Sequence, residues 1–209
     1  MNFKHIGLIS FLALLTGFLS TPCVMAAELP QPQALIVNAS IKLKEKLQEK
    51  EFNTDFVKLN GYVDELLQPL TNFDLISSLV LGESWNSATE NEQENFKKEF
   101  KTLLVRTYSR AFMEFKDWEI RYQPLTMAAD TKKVVVKTQV IQPSTPPIAV
   151  SYRMLLVDGN WKVYDIVIEG ISLVTNHRST FKTEIQTKGS LNAVIAALAK
   201  RNAEALSSR

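Results

Sequence analysis

Apolar positions recur every three or four residues through the first half of the chain and every second residue through much of the third quarter. The period itself therefore divides the sequence into helical and strand-forming stretches. Leu35, Ile36, Leu43 and Leu47 predict a first helix after the Pro30 to Pro32 segment. Phe56, Leu59, Val63, Leu66 and Leu67 predict a second, which ends before Pro69 because proline cannot continue the hydrogen-bond ladder. Asn72 is placed as the N-cap of a short helix carrying Phe73, Ile76, Leu79 and Val80, with Gly82 as its stop. Thr89 and Glu92 form a capping box ahead of Phe96, Phe100, Leu103, Leu104, Tyr108, Ala111, Phe112 and Phe115. That stripe predicts one long helix from about Glu90 to Phe115. Such a helix would run roughly 40 Å and could roof an entire sheet.

From Trp118 the period falls to two. Trp118, Ile120 and Tyr122 alternate with Glu119 and Arg121, and Val134, Val136, Thr138 and Val140 alternate with Val135, Lys137, Gln139 and Ile141. Val150, Tyr152, Met154 and Leu156 repeat the pattern, and Trp161 to Ile168 supplies a fourth strand. The connections are short, and Asp158-Gly159-Asn160 carries the Asp-Gly hairpin signal, so the strands are expected to form an antiparallel meander. Helical spacing returns after Glu169-Gly170 with Ile171, Val174, Phe181 and Ile185. Gly189 and Ser190 then introduce a last helix through Leu191, Val194, Ile195 and Leu198, and the polar tail from Ala199 is expected to be loose. This order of elements predicts an α+β domain in which helices cover one face of a curved four-stranded antiparallel sheet.

Ahead of these elements, Lys4, the uncharged apolar run from Ile6 to Leu19 and Val24-Met25-Ala26 read as a secretory signal peptide over residues 1–26. The run of 14 residues is short of the roughly 20 that span a bilayer. Cleavage would leave residues 27–209 as one domain of 183 residues, without Cys23, the only cysteine, and with the formal charge lowered from +2 to +1 by the loss of Lys4. Pro22 argues against lipidation of Cys23. An exported chain with no disulfide depends on its core, and a composition of 45% apolar residues supplies one. A charge this close to neutral gives no nucleic-acid footprint.

Candidate chemistry is sparse. A zinc site needs clustered ligands, and beyond residue 26 the chain has one histidine, His177, and no cysteine. Ser172, His177 and Asp165 can be drawn as nucleophile, base and orienter, but Gly170-Ile171-Ser172-Leu173-Val174 lacks the second glycine of a nucleophile elbow. Asp165 is the one acidic residue within the fourth strand. It would be a base inside an apolar cavity, or a structural charge at the rim of the sheet or beside an arginine. No glycine-rich phosphate loop occurs. The conspicuous feature is apolar supply: the aromatic stripe of the long helix and the valine-rich sheet either fill a core or leave part of the space as a ligand cavity, and pattern alone leaves both open.

Several strings carry a resemblance. Leu81-Gly82-Glu83-Ser84-Trp85, Ala88-Thr89-Glu90-Asn91-Glu92-Gln93-Glu94-Asn95-Phe96, Phe100-Lys101-Thr102-Leu103-Leu104-Val105-Arg106-Thr107-Tyr108 and the block from Val163 through Glu169-Gly170-Ile171-Ser172-Leu173-Val174-Thr175-Asn176-His177-Arg178 to Phe181 resemble the MlaC family, also called the toluene-tolerance family. The likeness spans nearly the whole chain after the leader. His177 is a departure, since family members often have tyrosine there.

The resemblance implies a nuclear-transport-factor-2-like cone and a soluble periplasmic phospholipid carrier that maintains outer-membrane lipid asymmetry. It implies acyl tails held inside, the head group in solvent, no catalytic step and no cofactor. It also implies two partners: an inner-membrane Mla ABC transporter with an MCE-protein ring, and an outer-membrane MlaA lipoprotein held in a porin. On that reading the tail contacts are Tyr108 and Phe112 from the long helix with Val134, Val136, Val140, Val150, Tyr152, Met154 and Leu156 from the sheet. Arg106, Arg110 and Arg178 are candidates for a phosphate or for a partner's acidic surface, or are simply solvated. The absence of coiled-coil heptads favours a monomer. Two rivals stand beside the carrier: a cone-fold enzyme with Asp165 as base, and a periplasmic adaptor with a filled core that binds no lipid.

Overall fold

The computed structural model describes residues 29–114 and 117–207, so the expected leader and Phe115 lie outside the described residues. The first helical group is α1 (Gln31–Gln48), α2 (Lys50–Thr54), α3 (Phe56–Leu67), α4 (Phe73–Leu81), α5 (Glu83–Ser87) and α6 (Glu90–Glu114). The strands β1 (Glu119–Tyr122), β2 (Lys133–Ile141), β3 (Ile148–Val157), β4 (Asn160–Ile168) and β5 (Ile171–Ser172) follow, and α7 (Leu173–Lys188) and α8 (Leu191–Ser207) close the chain.

Local chemistry sets most of these boundaries. Asn72 Oδ1 accepts from the Leu75 backbone N–H at 3.0 Å, and Gly82, with φ +56°, ends α4 in a conformation open to glycine. The capping box forms as expected: the Thr89 N–H donates to Glu92 Oε2 at 2.9 Å and the Glu92 N–H returns a bond to Thr89 Oγ1 at 3.3 Å. Helices α2 and α5 have five residues each, too few to show a helical period in the sequence.

The sheet is a sequential meander, β1-β2-β3-β4-β5, antiparallel throughout. Its fifth strand departs from the four-stranded expectation. Glu169 and Gly170 take φ values of +49° and +81°, turning the chain back so that Ile171 pairs with Ile168 instead of starting a helix. Ile171 is therefore 63% exposed rather than buried on a helical face. The two-residue β5 protects only the end of β4. Its middle is covered by Thr71, which bridges to Val163, so this edge offers no long unpaired row. A register shift opposite Arg153 and Met154 leaves Tyr164 unpaired as a bulge.

Three buried clusters divide the interior. The first is helical, joining Ile76 and Val80 of α4, Phe96 and Phe100 of α6, Phe181 of α7 and Leu198 of α8. The second packs Ile36 of α1 on Val134, Val136, Met154, Trp161 and Val163 of the sheet. The third joins Leu43 of α1, Leu59 and Val63 of α3, Val105 of α6 and Trp118, with Phe112 and Val140 at its margin. The long helix therefore does not roof the sheet. Its first half is spent in the helical cluster, and only its second half, from Val105 to Met113, reaches residues of the sheet.

Two further differences have clear causes. The tail from Ala199 is helical to Ser207, because Asn202 is buried against α6 and Arg201 makes two bonds to Glu184 of α7 at 3.0 and 3.1 Å. The helices also do not keep to one face. The start of α7 reaches the opposite side of β4, where Asp165 receives it.

Candidate functional site

Strand register fixes which residues share a side. Val134 lies opposite Met154, Val136 opposite Tyr152, Val140 opposite Ile148, and Thr138 opposite Val150. Leu156, two residues beyond Met154, joins the same face opposite Trp161. All seven sheet residues named from alternation therefore fall on one face. Their depth differs. Val136 and Met154 have no exposed surface, Val134 and Val150 are buried, and Val140, Tyr152 and Leu156 are half-buried.

That face is divided between packing groups. Val134, Val136, Tyr152, Met154 and Leu156 sit with α1 in the second cluster, whereas Val140 and Phe112 belong to the third. Tyr108 and Val150 belong to neither. Burial pushes the phenols of Tyr108 and Tyr152 up to about 12. Tyr122 of β1 meets Ser40 of α1 at 2.5 Å. Ser40 already donates to the Val37 carbonyl at 2.7 Å, so the tyrosine supplies the proton. The contribution of α1, through Leu35, Ile36 and Ser40, was absent from the sequence-derived set. Its apolar stripe was visible, but a stripe does not name the surface it will cover.

Among the hollows at the surface of the described residues are two of similar size. One, of about 550 Å³, lies where the end of α1 meets β1 and the β2–β3 connection, with Leu47, Trp118, Ile141 and Pro143 as its apolar wall. Another, of about 520 Å³, lies between the start of α4 and Lys97, Lys98 and Lys101 of α6. None of the nine candidate tail contacts lines either of them. The first borders the third cluster through Leu47 and Trp118.

Arg106 and Arg110 stand one turn apart on α6 and Arg178 lies on α7, and each is engaged by a different partner. Arg106 Nε donates to Asn202 Oδ1 at 2.8 Å, and Asn202 Nδ2 donates onward to the Glu99 carbonyl at 2.9 Å, which joins α6 to α8. Burial, helped by Arg201 and Arg110, lowers the Arg106 pKa from its ordinary value. The Arg110 guanidinium lies 4.6 Å from the Phe56 ring, a cation–π contact from α6 to α3. Arg178 Nε donates to the Leu79 carbonyl at 2.6 Å, which ties α7 to α4 near the end of that helix.

Asp165 has a structural occupation. One carboxylate oxygen accepts from Arg153 Nη1 at 2.8 Å and Ser172 Oγ at 2.7 Å, and the other accepts from the Val174 N–H at 3.1 Å. The residue is 4% exposed and sits at the N-terminus of α7, where a negative charge also meets the positive end of the helix dipole. Ser172 caps the same helix by accepting from the Thr175 N–H at 3.1 Å. His177 lies away from both, edge-on to Phe100 with ring centroids 5.1 Å apart, so the three residues do not assemble as a triad. Among the described residues no group of three His, Cys, Asp or Glu could hold a metal ion, and no helix is long and apolar enough to cross a membrane.

With the geometry in hand, the similarities to known proteins are specific. The intermembrane phospholipid transport system binding protein MlaC of Haemophilus influenzae is 28% identical over 165 residues, covering 77% of this chain and 76% of its own length. The toluene tolerance protein ttg2D of Pseudomonas putida is 25% identical over 145 residues, covering 69% and 67%. A phospholipid-binding protein from Ralstonia solanacearum, solved in complex with a phospholipid, matches with a TM-score of 0.76 and 28% identity over 84% of this chain and 99% of that one. The MlaC protein family model matches residues 38–200, from the third turn of α1 into α8, and the chain belongs to that family.

Proposed function

We propose that this chain is a periplasmic phospholipid carrier, exported by cleavage after residue 26, that moves lipid between the inner and outer membranes and so maintains outer-membrane lipid asymmetry. The observation that carries the reading is the likeness, over most of both chains, to a solved protein that holds a phospholipid. Family membership supports it. An inner-membrane Mla ABC transporter with its MCE ring and an outer-membrane MlaA lipoprotein in a porin are the proposed donor and acceptor. The carrier acts as a monomer and has no catalytic step.

The apolar face of the sheet is the proposed tail site, with Val134, Val136, Val140, Val150, Tyr152, Met154 and Leu156 below and Tyr108 and Phe112 beside it. Side chains already enclose Val136 and Met154, so tails that reach them must part α1 from the sheet or enter along the seam between the two sheet-side clusters. The energetics permit this exchange. Two acyl chains of roughly thirty methylenes, at about 0.8 kcal/mol each, gain on the order of 24 kcal/mol on leaving water. The same methylenes are already buried in a bilayer, so transfer to an apolar protein interior is near neutral. Direction must then come from the partners.

The hydrogen bonds of Asp165 weigh against the rival reading of it as a free base. Its oxygens serve Arg153, Ser172 and the α7 backbone. Native mass spectrometry of protein released gently from the cell envelope is the direct test. Phospholipid mass on the folded protein is expected. Bare polypeptide under conditions that preserve a known lipid carrier would favour the adaptor and sink the proposal.

A further inference from the structure

The face of the sheet turned away from the proposed tail contacts has a charge pattern that lipid carriage does not use. On β2, Lys133, Val135 and Lys137 are exposed while Val134 and Val136 between them are buried. Register sets Arg153 of β3 directly across from Val135, between the levels of the two lysines. Arg121 of β1 lies across from Gln139, one pleat along from Lys137 on the same side. Three cations, Lys133, Lys137 and Arg153, therefore flank one valine that is 41% exposed, and Arg121 extends the row past Lys137.

These cations are poorly compensated. Arg153 shares Asp165, but Arg121, Lys133 and Lys137 have no ion-pair partner among the described residues. Glu119, two residues before Arg121, is the one carboxylate of β1 to β3, and Asp165 belongs to β4. No two of these cations are cross-strand partners, but Arg153 is diagonal to both Lys133 and Lys137 and Arg121 is diagonal to Lys137. The chain as a whole carries only +2, so the row is a local concentration and not a general basicity.

We infer that the outer face of β1 to β3, centred on Val135, docks an acidic protein surface. A small apolar centre inside a charged ring has the layout of an interface core with its rim, and complementary charge would set encounter rate and partner choice. The choice of a protein over an anionic bilayer rests on the carrier reading. Pressing this face onto a membrane would aim Val136, Tyr152 and Met154 away from it, whereas a protein docked here leaves the opposite, apolar side free to exchange lipid.

The purified protein is titrated with poly-L-glutamate and, separately, with vesicles of phosphatidylethanolamine and phosphatidylglycerol. Lys133→Glu/Lys137→Glu is compared with Lys42→Glu/Lys182→Glu, which makes the same charge change at exposed lysines of α1 and α7. The outer-face variant is expected to bind poly-L-glutamate about tenfold more weakly and the control within about twofold of the parent. The milder Lys133→Gln/Lys137→Gln pair is expected to fall between, which keeps the test valid if the reversal disturbs folding. Equal weakening in both charge reversals, or no binding by the parent, overturns the inference. So does vesicle binding by the parent that the outer-face change abolishes, since the face would then meet a bilayer. Bound phospholipid is measured on the same samples. Its absence from the parent would fail the carrier reading while leaving the poly-L-glutamate comparison intact.

Discussion

The helical end and the sheet side of this molecule bury apolar surface in different ways. Between α4, α6, α7 and α8, aromatic rings interlock. Phe96 and Phe100 stack at 5.5 Å, and Phe181 meets them edge-on at 5.0 and 5.6 Å. The sheet-side clusters hold rings in similar proportion, but Trp118, Tyr122, Tyr152 and Trp161 form no ring pair with one another among the described residues, the apolar surface falls into two groups rather than one, and Val140, Tyr152 and Leu156 are half-buried. Interlocked rings have few alternative packings, whereas aliphatic groups tolerate volume-conserving repacking and methionine adapts to irregular space. On the proposed carrier reading, the difference is a division of labour: a scaffold at one end, and at the other the surface proposed to trade side-chain contacts for acyl chains.

The sharpest way to break that comparison is a pair of substitutions, one in each region. Phe100 is 1% exposed, so Phe100→Ala is expected to cost about 3–5 kcal/mol in urea unfolding while the molecules that remain folded keep their phospholipid. Val140→Asp, at a half-buried position on the seam, is expected to cost less stability and to remove bound lipid. Lipid loss in folded Phe100→Ala, or full lipid occupancy in folded Val140→Asp, would erase the distinction between scaffold and carrier surface.

A smaller effect is expected where the two regions are joined. Asp165 links β3, β4, the β5 residue Ser172 and the first turn of α7 through one carboxylate. Asp165→Asn keeps the size but loses the charge, and its amide nitrogen must face a donor. It is expected to cost about 2–3 kcal/mol, because hydrogen bonds to a buried charged group are the strong ones. Bound phospholipid is expected to persist. A variant that is as stable as the parent would show that this junction contributes little. One that stays folded and loses lipid would draw Asp165 into the site.

Legibility in the sequence follows the same division between local and distant causes. Asn72, Gly82, the Thr89 to Glu92 box and Gly189 act on residues within one turn, so these helix ends could be read directly, whereas the Ser172 cap was hidden by the misplaced start of α7 at Ile171. Strand alternation was equally local, and it placed all seven sheet candidates on one face. What escaped depended on remote partners. Asn202 looks like part of a polar tail until Glu99 and Arg106, about a hundred residues earlier, are set beside it. The stripe of α6 showed no break where it passes from the helical cluster to the sheet-side one. Two residues of β5 cannot display a period, and its turn needs a glutamate with positive φ, which no local pattern announces.

The smallest expected effect concerns the one polar ring inside the scaffold. His177 stands edge-on to Phe100 and near Phe181, and burial holds its imidazole below the ordinary value of 6.5. The folded protein then binds the proton less readily than the unfolded chain does. Stability from this group is complete above the unfolded value and is lost as pH falls below 6.5, levelling once the folded-state ring is protonated as well. Replacing the ring with phenylalanine removes that dependence. Urea unfolding of the parent and of His177→Phe at steps from about pH 7.5 to about pH 5 is therefore expected to show the parent losing ground to the variant on the acid side. Phospholipid occupancy is expected to be unchanged, because His177 packs in the helical cluster and not on the sheet. Parallel stability curves would show that this histidine is as free to protonate as in the unfolded chain. Acid release of lipid that disappears in the variant would mean that the scaffold and the carrier surface are coupled through this ring.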